Sequence, residues 1–379
     1  MKMEVFEMER MQSTWENVVE YDLSESGIRA VSLRELSDLG FDLEAALDTP
    51  LGYSQSNGTI ELREILMEQY PGASLENIEV MNGTSEANYL AALVALQEGD
   101  DMALEVPNYM QLWGPPRSFG ARINTFSLDF ACGWEPDWDS FEQAVSEKTR
   151  LVYVSNPNNP TGAVLSRDAM RRIIERCERV GAYLLADEVY MGAEREQEQT
   201  PSFWGMSDRV IVTSGLSKAY GIPGLRIGWI VGPKEFVTEC WTQHDYITIG
   251  PNKLSDIVAR TAVKSVNRKK LYDRTRRILQ QNLKAMQEWL DGFGGFFTYN
   301  PHVAGAFNFV KYNSGIPSLE LVHSILNRQS TLIIPGRHLG MEGFLRIWMG
   351  GNPDFLREGW RRIGIEINQL PELVQGRDL

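Results

Sequence analysis

Several short stretches of this chain carry side chains suited to chemistry. Lys218 stands in Ser214-Gly215-Leu216-Ser217-Lys218-Ala219-Tyr220-Gly221, among small residues just past an apolar run. Most lysines are surface solubilisers, but one desolvated in such a setting has a lowered pKa and a free amine that attacks aldehydes. Asp187 closes the apolar run 182–186, where a carboxylate needs a cation or several donors. It caps a helix, pairs with an arginine, or faces a protonated ring nitrogen. Tyr190, three residues on, either packs in the core or donates its phenol to a ring hydroxyl. Asn156-Pro157-Asn158-Asn159-Pro160-Thr161-Gly162 repeats a rigid Asn-Pro unit where a turn needs one, so an Asn amide is being aimed at something. Arg226, in Gly224-Leu225-Arg226-Ile227-Gly228, has flanking glycines that admit close approach and a fork that suits phosphate or carboxylate. Arg346, in Phe344-Leu345-Arg346-Ile347-Trp348, either clamps a carboxylate from inside a strand or faces water at a sheet edge. Gly83-Thr84-Ser85 opens a helix, making an anion site of free N–H groups or an ordinary cap filled by Ser85.

These residues need a scaffold, and the hydrophobic pattern supplies one. Residues 58–70, 85–97 and 167–180 read as helices, the first and last amphipathic. Residues 101–106, 151–154, 182–186 and 209–213 read as short strands. Strands alternating with helices imply right-handed βαβ crossovers and a mostly parallel sheet. Three of the strands end in polar residues: Asn156 to Asn159, Asp187 with Tyr190, and Ser214 to Lys218. Ligands of open α/β sheets sit outside the carboxyl ends of the strands, so these residues should surround one crevice. Residues 254–291 read as a basic, solvated connecting helix; beyond Gly292 the texture shifts to shorter elements, with strands at 303–310 and 343–348. The expected fold is α/β: a three-layer large domain with a mostly parallel central sheet, residues 46–290, plus a smaller α+β domain, residues 291–379. Residues 1–45 are expected to pack with the smaller domain.

Composition narrows the function. A net charge of −14 argues against a nucleic-acid surface and against docking on anionic lipid. The three cysteines lack the spacing of a zinc knuckle or a disulfide framework, which fits a reducing, cytoplasmic setting. The histidines, His244, His302, His323 and His338, form no metal motif, so no metal is expected. The first ten residues lack the apolar core of a signal peptide, and no apolar run is long enough to span a membrane.

The motifs Asn-Pro-x-Asn-Pro-Thr-Gly at 156, Asp-Glu-x-Tyr at 187, Ser-Lys-x-x-Gly at 217 and Gly-Leu-Arg-x-Gly at 224 occur in this order. Together they resemble the fold-type I pyridoxal-5′-phosphate enzymes of the class I/II aminotransferase family, across most of the chain from Tyr53 to Arg346. The resemblance implies an aspartate aminotransferase-like fold. It implies that Lys218 holds the cofactor as an internal aldimine, a Schiff base, and that Asp187 pairs with the pyridine nitrogen. Tyr190 and Asn159 would hydrogen-bond the ring 3-oxygen, and Tyr109 would stack on the ring. Thr84, Ser85, Ser217 and Arg226 would bind the phosphate. Tyr53 would reach the phosphate of the neighbouring subunit in a homodimer. Arg346, with Asn159, would bind the substrate α-carboxylate. One position departs: Gly215 stands where the family often has a phosphate-binding Ser or Thr, which should weaken the cofactor's hold and leave Ser217 alone, or with Ser214, to serve. The stretches 5–10 and 22–27 resemble a branch that includes capreomycidine synthase-like proteins.

The implied reaction passes an amino group between an L-amino acid and a 2-oxo acid, with Lys218 shuttling the α-proton. The same site suits β-elimination, replacement or cyclisation. A non-catalytic binding module on this fold normally brings a basic helix-turn-helix, which this acidic sequence does not show. No G-x-G-x-x-G follows a predicted strand, which argues against a nicotinamide enzyme. Tryptophans near the motifs (Trp113, Trp204, Trp229, Trp241 and Trp348) read as core, with a preference for bulky or aromatic substrates if they line the pocket.

Overall fold

The computed structural model describes residues 3–196, 199–301 and 303–370; His302 and the end of the expected C-terminal domain lie outside them. Eight strands form the main sheet. From one edge they run Ile78–Met81, Gly228–Val231, Val210–Gly215, Tyr183–Asp187, Thr149–Ser155, Asp101–Val106, Arg122–Asp129 and Glu135–Pro136. The five from Val210–Gly215 to Arg122–Asp129 are mutually parallel, while Gly228–Val231 and Glu135–Pro136 pair antiparallel with their neighbours. The central strands are buried on both faces, which explains their continuous apolar runs.

Alternate residues feed two separate cores. Val152, Val154, Leu184, Ala186, Val210 and Val212 face one, with Ile173 and Cys177 of helix Arg167–Val180. Leu151, Tyr153, Leu185 and Ile211 face the other, with Leu90 of helix Thr84–Ala95 and Phe236 and Cys240 of helix Lys234–His244. The result is the expected three-layer α/β arrangement. Ser166 caps helix Arg167–Val180 by accepting from Ala169 N at 3.1 Å, and Gly181 ends it with φ of 74°.

A second sheet is antiparallel, in the order Phe297–Thr298, Phe307–Tyr312, Phe344–Trp348, Ile334–Pro335. Tyr21–Asp22 pairs in parallel with Thr331–Leu332. The segment after it crosses the edge of this sheet: Leu23 O accepts from Trp348 N at 3.1 Å, and Gly27 O from Trp348 Nε1 at 2.6 Å.

Some expectations need correction. The basic stretch is two helices, Lys253–Val263 and Ser265–Asp291. The longer one is more than a solvated connector, because Leu271, Thr275, Leu279, Asn282, Met286 and Leu290 bury a continuous stripe. Arg274 donates to Arg29 O at 2.9 Å, and Arg276 lies 3.6 Å from the buried Glu194 carboxylate. Strands Ile78–Met81, Arg122–Asp129 and Gly228–Val231 escaped the hydrophobic pattern. The expected strand at 303–310 is shifted to Phe307–Tyr312, after Gly305 with φ of 84°. Among the described residues no helix is long and apolar enough to cross a membrane.

Candidate active site

The carboxyl ends of the parallel strands and the second sheet enclose a cavity of about 310 Å³. Lys218, Asp187, Tyr190, Asn159, Tyr109, Thr84, Ser85, Ser217, Arg226 and Arg346 all line it. Tyr53 does not; it is 91% exposed on the surface of this chain.

One end of the pocket is built for an anion. Gly83, with φ of 97°, turns the chain into helix Thr84–Ala95, whose first N–H groups lack intrahelical acceptors. Gly83 rather than Ser85 is the N-cap. Arg226 sits in left-handed backbone (φ 51°), and its guanidinium lies so close to Gly83 that a Cβ there would be 2.4 Å from one of its nitrogens. Gly228 is needed too, because a Cβ on it would lie 2.4 Å from Thr84 N. Arg226 reaches Ser217 Oγ at 3.5 Å. Ser214 does not help, because its hydroxyl turns to Glu188 O at 3.4 Å. Thr84 Oγ1 is buried without a hydrogen-bond partner, as a donor meant for a ligand would be.

At the pocket floor, Asp187 is neither a helix cap nor an arginine's partner. Its Oδ2 accepts from Asn88 Nδ2 at 2.8 Å and from the Tyr153 hydroxyl at 3.4 Å, and its Oδ1 from Val189 N at 3.0 Å. Burial raises its pKa, and the Asn88, Val189 and Tyr153 donors act against that rise. Asn88 is held in turn by Thr213 Oγ1, which donates to its Oδ1 at 2.6 Å. Tyr190 packs edge-on against Phe307 with centroids 5.4 Å apart, yet its hydroxyl makes no hydrogen bond of good geometry. It is thus both a core residue and an unpaired donor.

Arg346 is 1% exposed in the middle of the second sheet, which removes the wet-edge alternative. It donates to Asn159 Oδ1 at 3.0 Å and to Ser24 O at 2.6 Å, and its Nε has no partner. Beneath Asn159, Asn158 Nδ2 donates to the buried Glu105 at 2.8 Å, and Ser155 N to the same carboxylate oxygen at 3.1 Å. This ties the strand end at 155 to the loop that carries Tyr109. The Tyr109 hydroxyl donates to Glu9 at 2.7 Å.

Lys218 departs from expectation. Burial pulls its pKa down most, but the Glu25 carboxylate 3.3 Å away and Tyr190 together more than offset this, and the amine is held above its ordinary value. Ser26 Oγ lies 2.9 Å from the same nitrogen. Glu25, Ser26, Asn88 and Glu9 were not singled out as site residues. Helix Glu7–Trp15 adds Met8, Glu9 and Gln12 to the pocket wall, with Glu16 just beyond its end. Among the described residues no tryptophan lines the pocket, so a preference for bulky aromatic substrates loses its basis; Trp229, for one, is 1% exposed and bonded to the Tyr70 hydroxyl.

Residues 20–363 match the family described as Aminotransferase class I and II. The chain belongs to the class I and II aminotransferases. Capreomycidine synthase of Streptomyces vinaceus is 27% identical over 362 residues, covering 91% of this chain and 89% of that protein. Aspartate aminotransferase of Pyrococcus horikoshii is 26% identical over 328 residues, covering 82% of each. The crystal structure of a PLP-dependent aminotransferase from Streptococcus suis superposes with a TM-score of 0.90 at 28% identity, covering 97% of this chain and 99% of that one. As an aminotransferase-family enzyme the chain uses pyridoxal 5′-phosphate, and the pocket suits it: glycines clear space at a helix N-terminus, Thr84 and Tyr190 offer unpaired hydroxyls, and a carboxylate stands at the floor.

Proposed function

We infer that the chain is an aminotransferase that moves an amino group between an L-amino acid and a 2-oxo acid. What carries this is the convergence, in one cavity, of an amine (Lys218), a buried carboxyl group (Asp187), a phosphate-sized N–H cradle and a buried guanidinium (Arg346). Lys218 is assigned the covalent hold on the cofactor and then the movement of the substrate α-proton. Asp187, fixed by Asn88, is assigned to the ring nitrogen, Tyr190 and Asn159 to the ring oxygen, and Tyr109 to the ring face. Thr84, Ser85, Ser217 and Arg226 are assigned to the phosphate, and Arg346 with Asn159 to the substrate carboxylate. The cofactor itself supplies the electron sink that makes the α-proton removable.

A homodimer fits the exposed apolar surface around Tyr53. Leu51, Tyr53, Tyr246, Ile247 and Ile249 are all exposed, and Trp241 Nε1 donates to Ser56 Oγ at 2.9 Å, which joins Ser56, three residues past Tyr53, to the helix that precedes Tyr246. In such a dimer Tyr53 belongs to the partner's phosphate site. Three free cysteines fit a cytoplasmic setting.

A second outcome at the same site is cyclisation or elimination after the same proton removal, and the similarity to capreomycidine synthase, not named an aminotransferase, along 91% of this chain favours keeping it. Incubating the holoenzyme with single amino acids, without an oxo acid, separates the two. Aminated cofactor with a 2-oxo acid supports transfer. Ammonia, pyruvate or a cyclic product supports the second outcome.

A further inference from the structure

The segment that crosses the second sheet places a carboxylate on the catalytic amine. Glu25 Oε1 lies 3.3 Å from Lys218 Nζ. The same oxygen accepts from Ser26 N and from Gly27 N, both at 2.7 Å, so it is pinned by its own loop. The loop is pinned as well: Ser24 O accepts from Arg346 at 2.6 Å and Gly27 O from Trp348 Nε1 at 2.6 Å. Gly27 lies flat on the lysine, because a Cβ there would stand 3.6 Å from Lys218 Cδ and 3.2 Å from Glu25 Oε1. Two backbone N–H groups and two side-chain anchors thus hold one carboxylate oxygen against one amine. None of these residues belongs to the strand ends that carry Asp187, Asn159 and Lys218 itself.

We propose that Glu25 is a positioning residue of this site, a fixed negative charge that holds a proton on the Lys218 nitrogen. The proposal rests on the pyridoxal-phosphate function inferred above. The groups facing that nitrogen divide by sign. Glu25 and Tyr190 favour its charged form, while burial and Arg346 disfavour it. Asp187 is near enough for its own titration to be lowered by the lysine. Around Glu25 stand Asp22, Glu16 and Glu9, none of which forms an ion pair among the described residues; Glu16 is pushed up by burial, Asp22, Glu25 and Glu9. Glu25 itself is drawn down to about 2, chiefly by Lys218, and so remains ionised at any working pH. Its charge is the larger of the two influences that raise the lysine. Function follows from the demands on this nitrogen. A nitrogen bonded to the cofactor would need its proton to be displaced by a substrate amine, and a fixed carboxylate beside it favours that protonated form.

The test is a pH titration of the visible absorbance of the holoenzyme between about pH 5 and about pH 10. It compares the wild type with Glu25→Gln, which keeps the shape and removes the charge. An opposite charge at this distance moves a pKa by about 1–3 units; both side chains are partly open to solvent, which favours the lower figure. The expected result is a midpoint about one pH unit lower in Glu25→Gln. Glu25→Asp, which keeps the charge but draws it back by one methylene, lowers the midpoint by less. A cofactor-loaded Glu25→Gln enzyme with the wild-type midpoint overturns the proposal. Should that variant fail to fold, an unchanged midpoint in Glu25→Asp overturns it as well. A wild type with no cofactor band at all would strike the inferred function instead.

Discussion

A side chain at Gly215 would collide with Thr84: a Cβ built there lies 2.5 Å from Thr84 Oγ1 and 2.9 Å from Ile227 O. The helix hydroxyl of Thr84 fills the space that a side chain at Gly215 would need. Gly215→Ser is therefore expected to weaken the site. Overpacking of this kind costs about 1–3 kcal/mol. Thermal unfolding and cofactor titration check it, and tighter cofactor binding in Gly215→Ser would contradict it.

Asn88 links Thr213 to Asp187 deep under the pocket. Asn88→Ala leaves a buried carboxylate oxygen short of a donor and a buried hydroxyl short of an acceptor. The expected cost is about 1–3 kcal/mol, with a matching fall in turnover as the carboxyl loses its orientation. Denaturant unfolding and steady-state rates measure the two effects. Wild-type values for both would remove Asn88 from the supporting role.

The sequence made the strand ends visible and hid much of what packs onto them. Lys218, Asp187 and Asn159 could be found because each belongs to the polar residues that follow where an apolar strand stops. Glu25 and Asn88 could not. Glu25 lies 193 positions from Lys218, and the pairing of Tyr21–Asp22 with Thr331–Leu332 and the anchoring of the next loop on Arg346 and Trp348 bring it there. Asn88 sits in an Ala- and Leu-rich helix, where nothing local marks it as polar machinery. The lowered lysine pKa failed for the same reason: local surroundings predicted desolvation, and a distant carboxylate reversed it.

Behind the anion cradle, His244 is buried between Glu79 at 2.8 Å and Glu86 at 3.2 Å. Glu86 also accepts from Asn82 N at 2.6 Å, just before the cradle glycine. Burial opposes the imidazolium, but the two carboxylates prevail and lift His244 to about 9. A histidine raised above its unfolded value stabilises the fold fully below about pH 6.5, and that stability is lost as pH rises through about 9. Burial holds Glu79 up at about 7, so its ionisation adds to the loss between its ordinary value and pH 7. The unfolding midpoint should thus fall between about pH 7 and about pH 10, and fall less in His244→Gln. Equal slopes in the two proteins would contradict the assignment.

Asn159 and Ser24 hold Arg346 in place, and the proposed function assigns it to the substrate carboxylate. Arg346→Lys keeps a charge and loses the two-pronged contact. KM for the amino donor should rise by roughly 10-fold to 100-fold, from a loss of about 1.5–3 kcal/mol for a charged hydrogen bond, with kcat changed less. An unchanged KM would place the substrate carboxylate elsewhere.

The most direct measurement fixes the cofactor to its residue. Borohydride reduction of the holoenzyme, followed by proteolysis and mass spectrometry, should find the reduced cofactor on the peptide containing Lys218 and on no other, and Lys218→Ala should carry none. A label on a different lysine, or full turnover in Lys218→Ala, would contradict the assignment on which the proposed chemistry depends.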